Sequence, residues 1–476
     1  MRNRSLRLAA GLVSIGMLAV ACGSNRGDSA TSGATGATTG AGVIDASRVA
    51  GATGAKFGDL ASPCGAGSAS GATDKGVTDT SIKIGYGDDA GFASAPGLNK
   101  EMSEAIRAMM SWCNQQGGIN GRKVEGNYYD AKLLEVKSAM TQACTDKVFM
   151  LVGQGWASDA AQEDVRIGCQ LSSVPTYSVS TAFAHGAGMV QSLANPGDQL
   201  SLGFAYQVAN LFPDAIKKTA LVYANYSATL ETKNKVVAGF PAAGYSFLAC
   251  DQIYNISGES DWKPFASNLK ACGAEIVYFV GSPAPNFENF LAGSKQVGFT
   301  PKAIMVDANN YDAAFAKWNG DNGGIGDNVY VRMAFVPFEE ADKSPATKQY
   351  LDLIAKAGAK PSLLGAQATA SFLLWATGVK ACGSTVTAKC VIAEIGKLKD
   401  WTAGGLHVPT QPIKNEAPSC SLLVKLSGPK FARITPKDKT FECDPRYAIT
   451  NLKTDSVLAA KLDANRVATQ FGSFVP

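Results

Sequence analysis

The chain has 476 residues, 46% of them apolar and 18% charged, and a formal net charge of +4. Arg2, Arg4 and Arg7 at the extreme N-terminus carry three of those charges, so the remainder is nearly neutral and has no basic face of the kind nucleic acid requires. With 11 cysteines but only two histidines, His185 and His407, and no C-x-x-C spacing, the sequence is poor material for zinc.

The first element is an export signal: basic from Met1 to Arg7, apolar from Leu8 to Val20, then small at Ala21-Cys22-Gly23. The apolar run is too short for the roughly 20 residues that a bilayer-spanning helix needs. Leu18-Ala19-Val20-Ala21-Cys22 resembles the lipobox of bacterial lipoproteins, with Ala19 where that pattern prefers leucine. The resemblance implies acylation of Cys22 and a membrane anchor through the lipid, with residues 1–21 removed. Residues 22–75 are dominated by Gly, Ala, Ser and Thr, which bury too little apolar surface to fold, and they are read as a flexible tether.

About 400 residues follow, enough for two domains by the usual length prior. Alternation over Asp79 to Tyr86 predicts a strand, followed by a loop from Gly85 to Gly97. Met102, Ala105, Ile106, Met109, Met110 and Cys113 then fall at helical spacing, and Gly117-Gly118-Ile119-Asn120-Gly121 stops that helix. Lys137 to Thr145 and Asp159 to Cys169 read as helices, and Phe149 to Val152 and Val174 to Tyr177 as strands. A second series begins after Pro213, with strands at Thr219 to Tyr223, Tyr245 to Ala249, Glu275 to Val280 and Ala303 to Val306. Helices at Leu230 to Gly239, Trp262 to Cys272 and Phe287 to Gly298 alternate with them. Such alternation implies parallel βαβ units, and two series imply two doubly wound, three-layer α/β lobes. Removing Cys22 leaves ten cysteines, an even number that reads as disulfides in an exported chain. Pairing between adjacent predicted elements gives Cys64 with Cys113, Cys144 with Cys169, Cys250 with Cys272, Cys382 with Cys390, and Cys420 with Cys443.

Several ordered segments carry a resemblance to a known family. They are Gly76 to Gly85, Gly117 to Val124 with Asp130-Ala131 after it, Val152-Gly153-Gln154-Gly155 with Ser158, and Val174 to Ser178. Asp261-Trp262 through Val280-Gly281 and Val297-Gly298-Phe299 belong to the same set, as does Leu423 to Phe431. Together they resemble the type I periplasmic solute-binding proteins of ABC importers, the leucine/isoleucine/valine-binding branch. The resemblance implies a multi-crossing hinge, three crossings in most members. Lobe one is then residues 76–198 plus 340–403, lobe two 199–339 plus 404–450, and 451–476 a tail without a motif. It also implies a small-molecule ligand, ABC permease subunits as partners, a monomer and no cofactor.

The family positions also suggest a site. Ser158 can donate to a ligand carboxylate or cap the following helix. Thr181 matches a family threonine that binds the ligand's α-carboxylate or α-amino group, while Ser180 and Thr181 serve equally in a turn. Trp156 and Phe92 are loop aromatics that can wall an apolar ligand or face the core. Asp307 occupies the place of a carboxylate that pairs with a ligand ammonium, and Tyr223 and Tyr226 stand near a family tyrosine otherwise absent. Ser282-Pro283-Ala284-Pro285 replaces the tyrosine common in amino-acid binders, so the pocket is tuned away from leucine. No G-x-S-x-G elbow, P-loop or G-x-G-x-x-G occurs, and neither histidine lies in a catalytic motif, which argues against an enzyme. A ligand sensor signalling to a membrane kinase or receptor is the alternative use of the same module.

Overall fold

The computed structural model describes residues 56–460. The signal segment, Cys22 and the tail beyond residue 460 lie outside the described residues. Lobe one is built on four parallel strands, β1 (Ser81–Asp88), β2 (Lys123–Asp130), β3 (Leu151–Val152) and β4 (Ser173–Val174), in the spatial order β2-β1-β3-β4. Between them run α1 (Lys100–Gln115), α2 (Val136–Thr145) and the short α3 (Glu163–Gly168). Met102, Ala105, Ile106, Met109 and Cys113 form the buried face of α1, as their spacing predicts. The turn after α1 requires glycine at Gly118, where φ is +78° and a Cβ would stand 2.0 Å from the carbonyl oxygen of Arg122.

Lobe two contains α4 (Gly203–Leu211), β5 (Thr219–Ala224), α5 (Ser227–Gly239), β6 (Gln252–Tyr254), α6 (Lys263–Ala271) and β7 (Ile276–Val280). It continues through α7 (Glu288–Gln296), β8 (Ala303–Val306), α8 (Ala313–Asp321) and β9 (Val329–Met333). The chain then returns to lobe one for α9 (Pro345–Lys356), α10 (Leu363–Cys382) and α11 (Ala388–Gly396). It comes back for β10 (Cys420–Ser427) and β11 (Lys430–Thr435). The sheet order is β11-β10-β9-β8-β7-β5-β6, with Glu442–Cys443 pairing the start of β10 to make eight strands. Strands β5 to β9 pair in parallel, and every residue of β5, β7 and β8 is buried, as a sheet covered on both faces demands.

Helix α10 is buried around most of its circumference and packs on α1, which is why it carries no amphipathic signal. Ser344, Ser362 and Thr387 cap α9, α10 and α11 through side-chain oxygens that accept backbone N–H bonds. Among the described residues no helix is long and apolar enough to cross a membrane.

The passages between lobes lie side by side. Val408 N–H donates to Ala334 O at 2.9 Å, and Thr410 Oγ1 donates to Ser192 O at 2.8 Å. His407 is buried there, with Nε2 2.9 Å from Ser192 Oγ and Nδ1 2.6 Å from Val408 O. Trp401 Nε1 donates to the same Ser192 oxygen at 2.8 Å. The carbonyl next to Nδ1 places the ring proton there, so Nε2 accepts from Ser192.

Five disulfides join Cys64–Cys113, Cys144–Cys169, Cys250–Cys272, Cys382–Cys390 and Cys420–Cys443, the pairs that adjacency of elements suggests. Three expectations are corrected. The tether does not extend to residue 75: Lys56–Phe57 and Leu60–Ala61 pair, Phe57 packs edge-on against Trp112 with ring centroids 5.7 Å apart, and Cys64 is bridged to α1. Buried Arg122 fastens the same segment by donating to Gly71 O and Thr78 O, each at 2.9 Å. The strand expected at Tyr245 to Ala249 is instead β6 at Gln252–Tyr254, because Tyr245 fills the lobe-two core from a loop. The expected tail from residue 451 is part of the fold at its start, since Leu452, Thr454 and Val457 are buried and Asp455–Ala460 is helical.

Candidate functional site

A cavity of about 230 Å³ opens between the lobes where the carboxyl ends of both sets of parallel strands converge, the usual ligand position in open α/β sheets. Lobe one contributes Phe92, Leu98 and Asn99 from the loop after β1, Leu133 after β2, Ala157 after β3, and Tyr177 to Val179 after β4. Buried Asp89 shapes this wall, accepting the N–H of Leu133 at 2.9 Å and of Ala157 at 3.0 Å. Burial pushes its carboxyl up to about 7 against those two bonds. Asp159 acts likewise behind the next loop, accepting from Val179 N at 2.6 Å and Ser180 N at 2.9 Å, and burial raises it to about 7.

Lobe two contributes Tyr226, Ala228 and Thr229 after β5, Tyr254 and Ile256 from β6 onward, Val280 to Ser282 after β7, Asp307 after β8 and Arg332 from β9. Leu364 and Gln367 of α10 and Asn195 of a crossing segment also line it. The charges are unevenly spent. Asp307 receives the hydroxyl of Tyr278 on Oδ2 at 2.9 Å and faces Arg332 Nη2 through Oδ1 at 3.2 Å. Beyond that ion pair, no hydrogen bond from the Arg332 guanidinium to another described residue is present, and its side chain is 26% exposed. Lys235 lies behind the wall, donating to Asn195 Oδ1 at 2.9 Å and Pro196 O at 2.8 Å. Its burial, and then the nearby Arg332, lower the ammonium to about 7. A second cavity of about 90 Å³ adjoins the first, and Tyr177, Asn195, Ala308, Arg332 and Gln367 line both.

The expected site residues separate into two groups. Phe92 and Asp307 line the cleft, and Ser158 stands at its edge, where its Oγ is hydrogen-bonded across the lobes to Tyr226 Oη. Burial pushes the Tyr226 phenol up to about 12, so it keeps its proton as a donor. Asp307, expected as the partner of a ligand ammonium, lines the cleft already paired with Arg332. Trp156 is 1% exposed and packs with Tyr129, Leu151 and Leu171 in a lobe-one core, so it does not wall the ligand. Tyr223 is buried in the lobe-two core outside the cleft lining. Ser180 caps the four-residue turn Thr181–Ala184, accepting from Phe183 N at 3.1 Å, and Thr181 Oγ1 meets Ser456 Oγ at 3.4 Å. The segment after Ser158 is a 3-10 turn that runs directly into α3, and the segment after Ser180 is that single helical turn. Sequence reading missed Tyr254 and Arg332. Tyr177 lies inside the strand-end segment Val174 to Ser178 and Tyr226 stands beside Tyr223 near the family tyrosine, whereas Arg332 lies in a strand without a motif.

A family model described as periplasmic binding protein matches residues 81–429. No curated protein sequence matches the chain. Solved structures share the fold at low identity. A fatty acid ABC transporter substrate-binding protein from Thermomonospora curvata has 15% identity and a TM-score of 0.63, covering 79% of this chain and 95% of its own. A solute-binding protein of an ABC transporter from Rhodopseudomonas palustris, in complex with 4-hydroxybenzoate, has 18% identity and a TM-score of 0.60, covering 76% and 97%. A leucine-binding protein from Thermotoga maritima has 16% identity and a TM-score of 0.59, covering 75% and 100%.

Proposed function

This chain belongs to the periplasmic binding protein family, and from that premise we propose that it is the solute-binding component of an ABC importer, closing on a small carboxylate-bearing solute between its two lobes. The observation that carries this reading is the cleft itself, a cavity of about 230 Å³ whose walls come from both lobes at the ends of their parallel strands. Structural neighbours described as binding fatty acid, leucine and 4-hydroxybenzoate support a solute with a carboxylate. The protein is then a monomeric binding protein rather than an enzyme and needs no cofactor. It works outside the cytoplasm, held to the membrane by lipid on Cys22, and delivers solute to permease subunits.

A ligand held by both lobes stabilises the closed form. At a hundredfold excess over its dissociation constant it adds about 2.7 kcal/mol to folding stability. A thermal-shift screen of carboxylates should raise the melting temperature, and X-ray scattering should show a smaller radius of gyration with the same compound. A solute that raises the melting temperature without changing the radius sinks the clamp. For the anchor, mass spectrometry of the N-terminus should find diacylated Cys22 and the Cys22→Ala variant should stay unprocessed or be released. A cleaved but unmodified N-terminus on wild-type protein rejects it.

A further inference from the structure

We infer that Arg332 and Tyr177 hold the solute's carboxylate, and that the solute is a carboxylic acid without an α-ammonium group. The inference rests on the cleft being the ligand site and narrows what enters it. An α-amino acid needs a carboxylate in the wall for its ammonium, and among the described residues lining the cavity the only one is Asp307. One oxygen of Asp307 receives the Tyr278 hydroxyl at 2.9 Å and the other lies 3.2 Å from Arg332. An ammonium brought to Asp307 therefore also meets a guanidinium, and like charges at that distance in a part-buried site repel strongly.

An anion at Arg332 also has Asp307 as a neighbour, but it meets N–H donors that Asp307 leaves over. A guanidinium carries five N–H donors in a fork that fits a carboxylate, and this one makes a single ion pair. Lys235 does not compete for the anion, since its ammonium is turned to Asn195 Oδ1 and Pro196 O behind the wall. Arg332 and Tyr177 both border the main cavity and the smaller one beside it, which puts them at the junction of the two. The Tyr177 hydroxyl accepts from Asn99 Nδ2 at 3.3 Å, and among the described residues no acceptor takes its own hydrogen, so it has a proton to give. Arg332 belongs to lobe two and Tyr177 to lobe one, so one carboxylate gripped by both also ties the lobes together. Phe92, Leu98, Leu133, Ile256 and Leu364 offer the rest of the molecule an apolar wall. Asp89 and Asp159, the carboxylates behind the lobe-one wall, point to backbone N–H groups rather than into the cavity.

The test is calorimetric titration with matched pairs that differ by the amino group: 3-phenylpropionate and phenylalanine, 4-methylpentanoate and leucine, 3-(4-hydroxyphenyl)propionate and tyrosine. At least one acid should bind, at least a hundredfold tighter than its amino acid. Arg332→Gln should weaken that acid tenfold or more while changing the affinity of its neutral amide less than threefold. Should Arg332→Gln not fold, Arg332→Lys keeps the charge but loses the fork, and should retain preference for acid over amide at reduced affinity. Tighter binding of any amino acid than of its acid, equal acid binding by Arg332→Gln or Arg332→Lys and wild type, or no binding by any of the three acids overturns the inference. Ala228→Trp, which fills the cavity from lobe two, separates the two readings. Acid binding that survives Ala228→Trp removes the cleft as the site altogether, whereas binding lost in Ala228→Trp but untouched in Arg332→Gln refutes only the anchor.

Discussion

The hydrogen bond between Ser158 Oγ of lobe one and Tyr226 Oη of lobe two spans the cleft without any ligand atom, so it should bias the closed form. Tyr226→Phe removes the hydroxyl and keeps the ring in the cavity wall. The neighbouring contact of the same hydroxyl with Leu133 O is long, at 3.4 Å, and adds little. A neutral, part-buried bond of this kind contributes about 1 kcal/mol net, which lowers the ratio of closed to open molecules about fivefold. Because apparent affinity scales with the population able to bind, the dissociation constant should rise by up to about fivefold, with no loss of binding enthalpy from ligand contacts. Ser158→Ala breaks the same bond from the other side. The double variant should therefore be no weaker than either single one, giving a coupling of about 1 kcal/mol in a double-mutant cycle read by calorimetry. X-ray scattering of the ligand-free variants should show a larger mean radius than wild type. Losses that simply add in the double variant would mean that Ser158 and Tyr226 each touch the ligand independently, and the latch would be refuted.

The disulfides should differ in worth. By the loop-entropy relation, removing Cys64–Cys113, whose partners are 49 residues apart, costs about 4 kcal/mol, and removing Cys382–Cys390, 8 apart, costs about 2.5 kcal/mol. Urea unfolding of the paired alanine variants checks the ranking, and equal costs contradict it. Arg122→Met strands the carbonyls of Gly71 and Thr78 and should cost about 3 kcal/mol, with faster amide exchange first in residues 71–78. Unchanged exchange there would show that another contact holds the segment. Burial lowers His407 to about 4, below an unfolded value near 6.5, so the unfolded chain takes up the proton first. The stability this gives is complete above pH 6.5, falls as pH drops towards 4, and totals about 3 kcal/mol. Asp89 and Asp159, raised to about 7, act in the opposite sense and lose their contribution as pH rises through 7. They cancel when wild type is compared with His407→Gln, whose stability deficit should shrink between pH 7 and 4.5; a constant deficit refutes the assignment.

Much of the fold was readable because its signals are local. Met102 to Cys113 repeat at helical spacing, and β5, β7 and β8 are short apolar runs between turn residues, patterns set by which faces must be buried. The failures have a shared physical cause, burial that does not follow a period. Helix α10 is enclosed on nearly all sides and so lacks an amphipathic stripe, and Tyr245 is apolar because a loop supplies a core contact. The stretch from Lys56 to Lys75 has the composition of a linker, yet it is held by one bridge and by a buried arginine more than 40 residues away in sequence, as the separations of 49 for Cys64–Cys113 and 51 for Arg122–Gly71 record. Composition cannot report such ties.

The site was readable in position but not in polarity. Knowing where strands end places Asp307, Phe92 and the Ser158 loop at the cleft, since loops that follow strand ends line it in this architecture. The sign of the charge offered to a ligand depends on which charged groups are already paired, and pairing is a property of register between strands. Asp307 follows β8 and Arg332 lies near the end of β9, adjacent parallel strands with Val306 opposite Val331. That register sets Asp307 and Arg332, each the next residue along its strand, beside one another. Shift β9 by one residue, and the alternation of side chains turns Arg332 to the other face of the sheet, leaving Asp307 free for an ammonium. The same aspartate thus reads as a cation site or as a spent counter-ion according to a register that no single segment encodes. Arg332, inconspicuous in Val329–Met333, becomes the group that sets which solutes the cleft accepts.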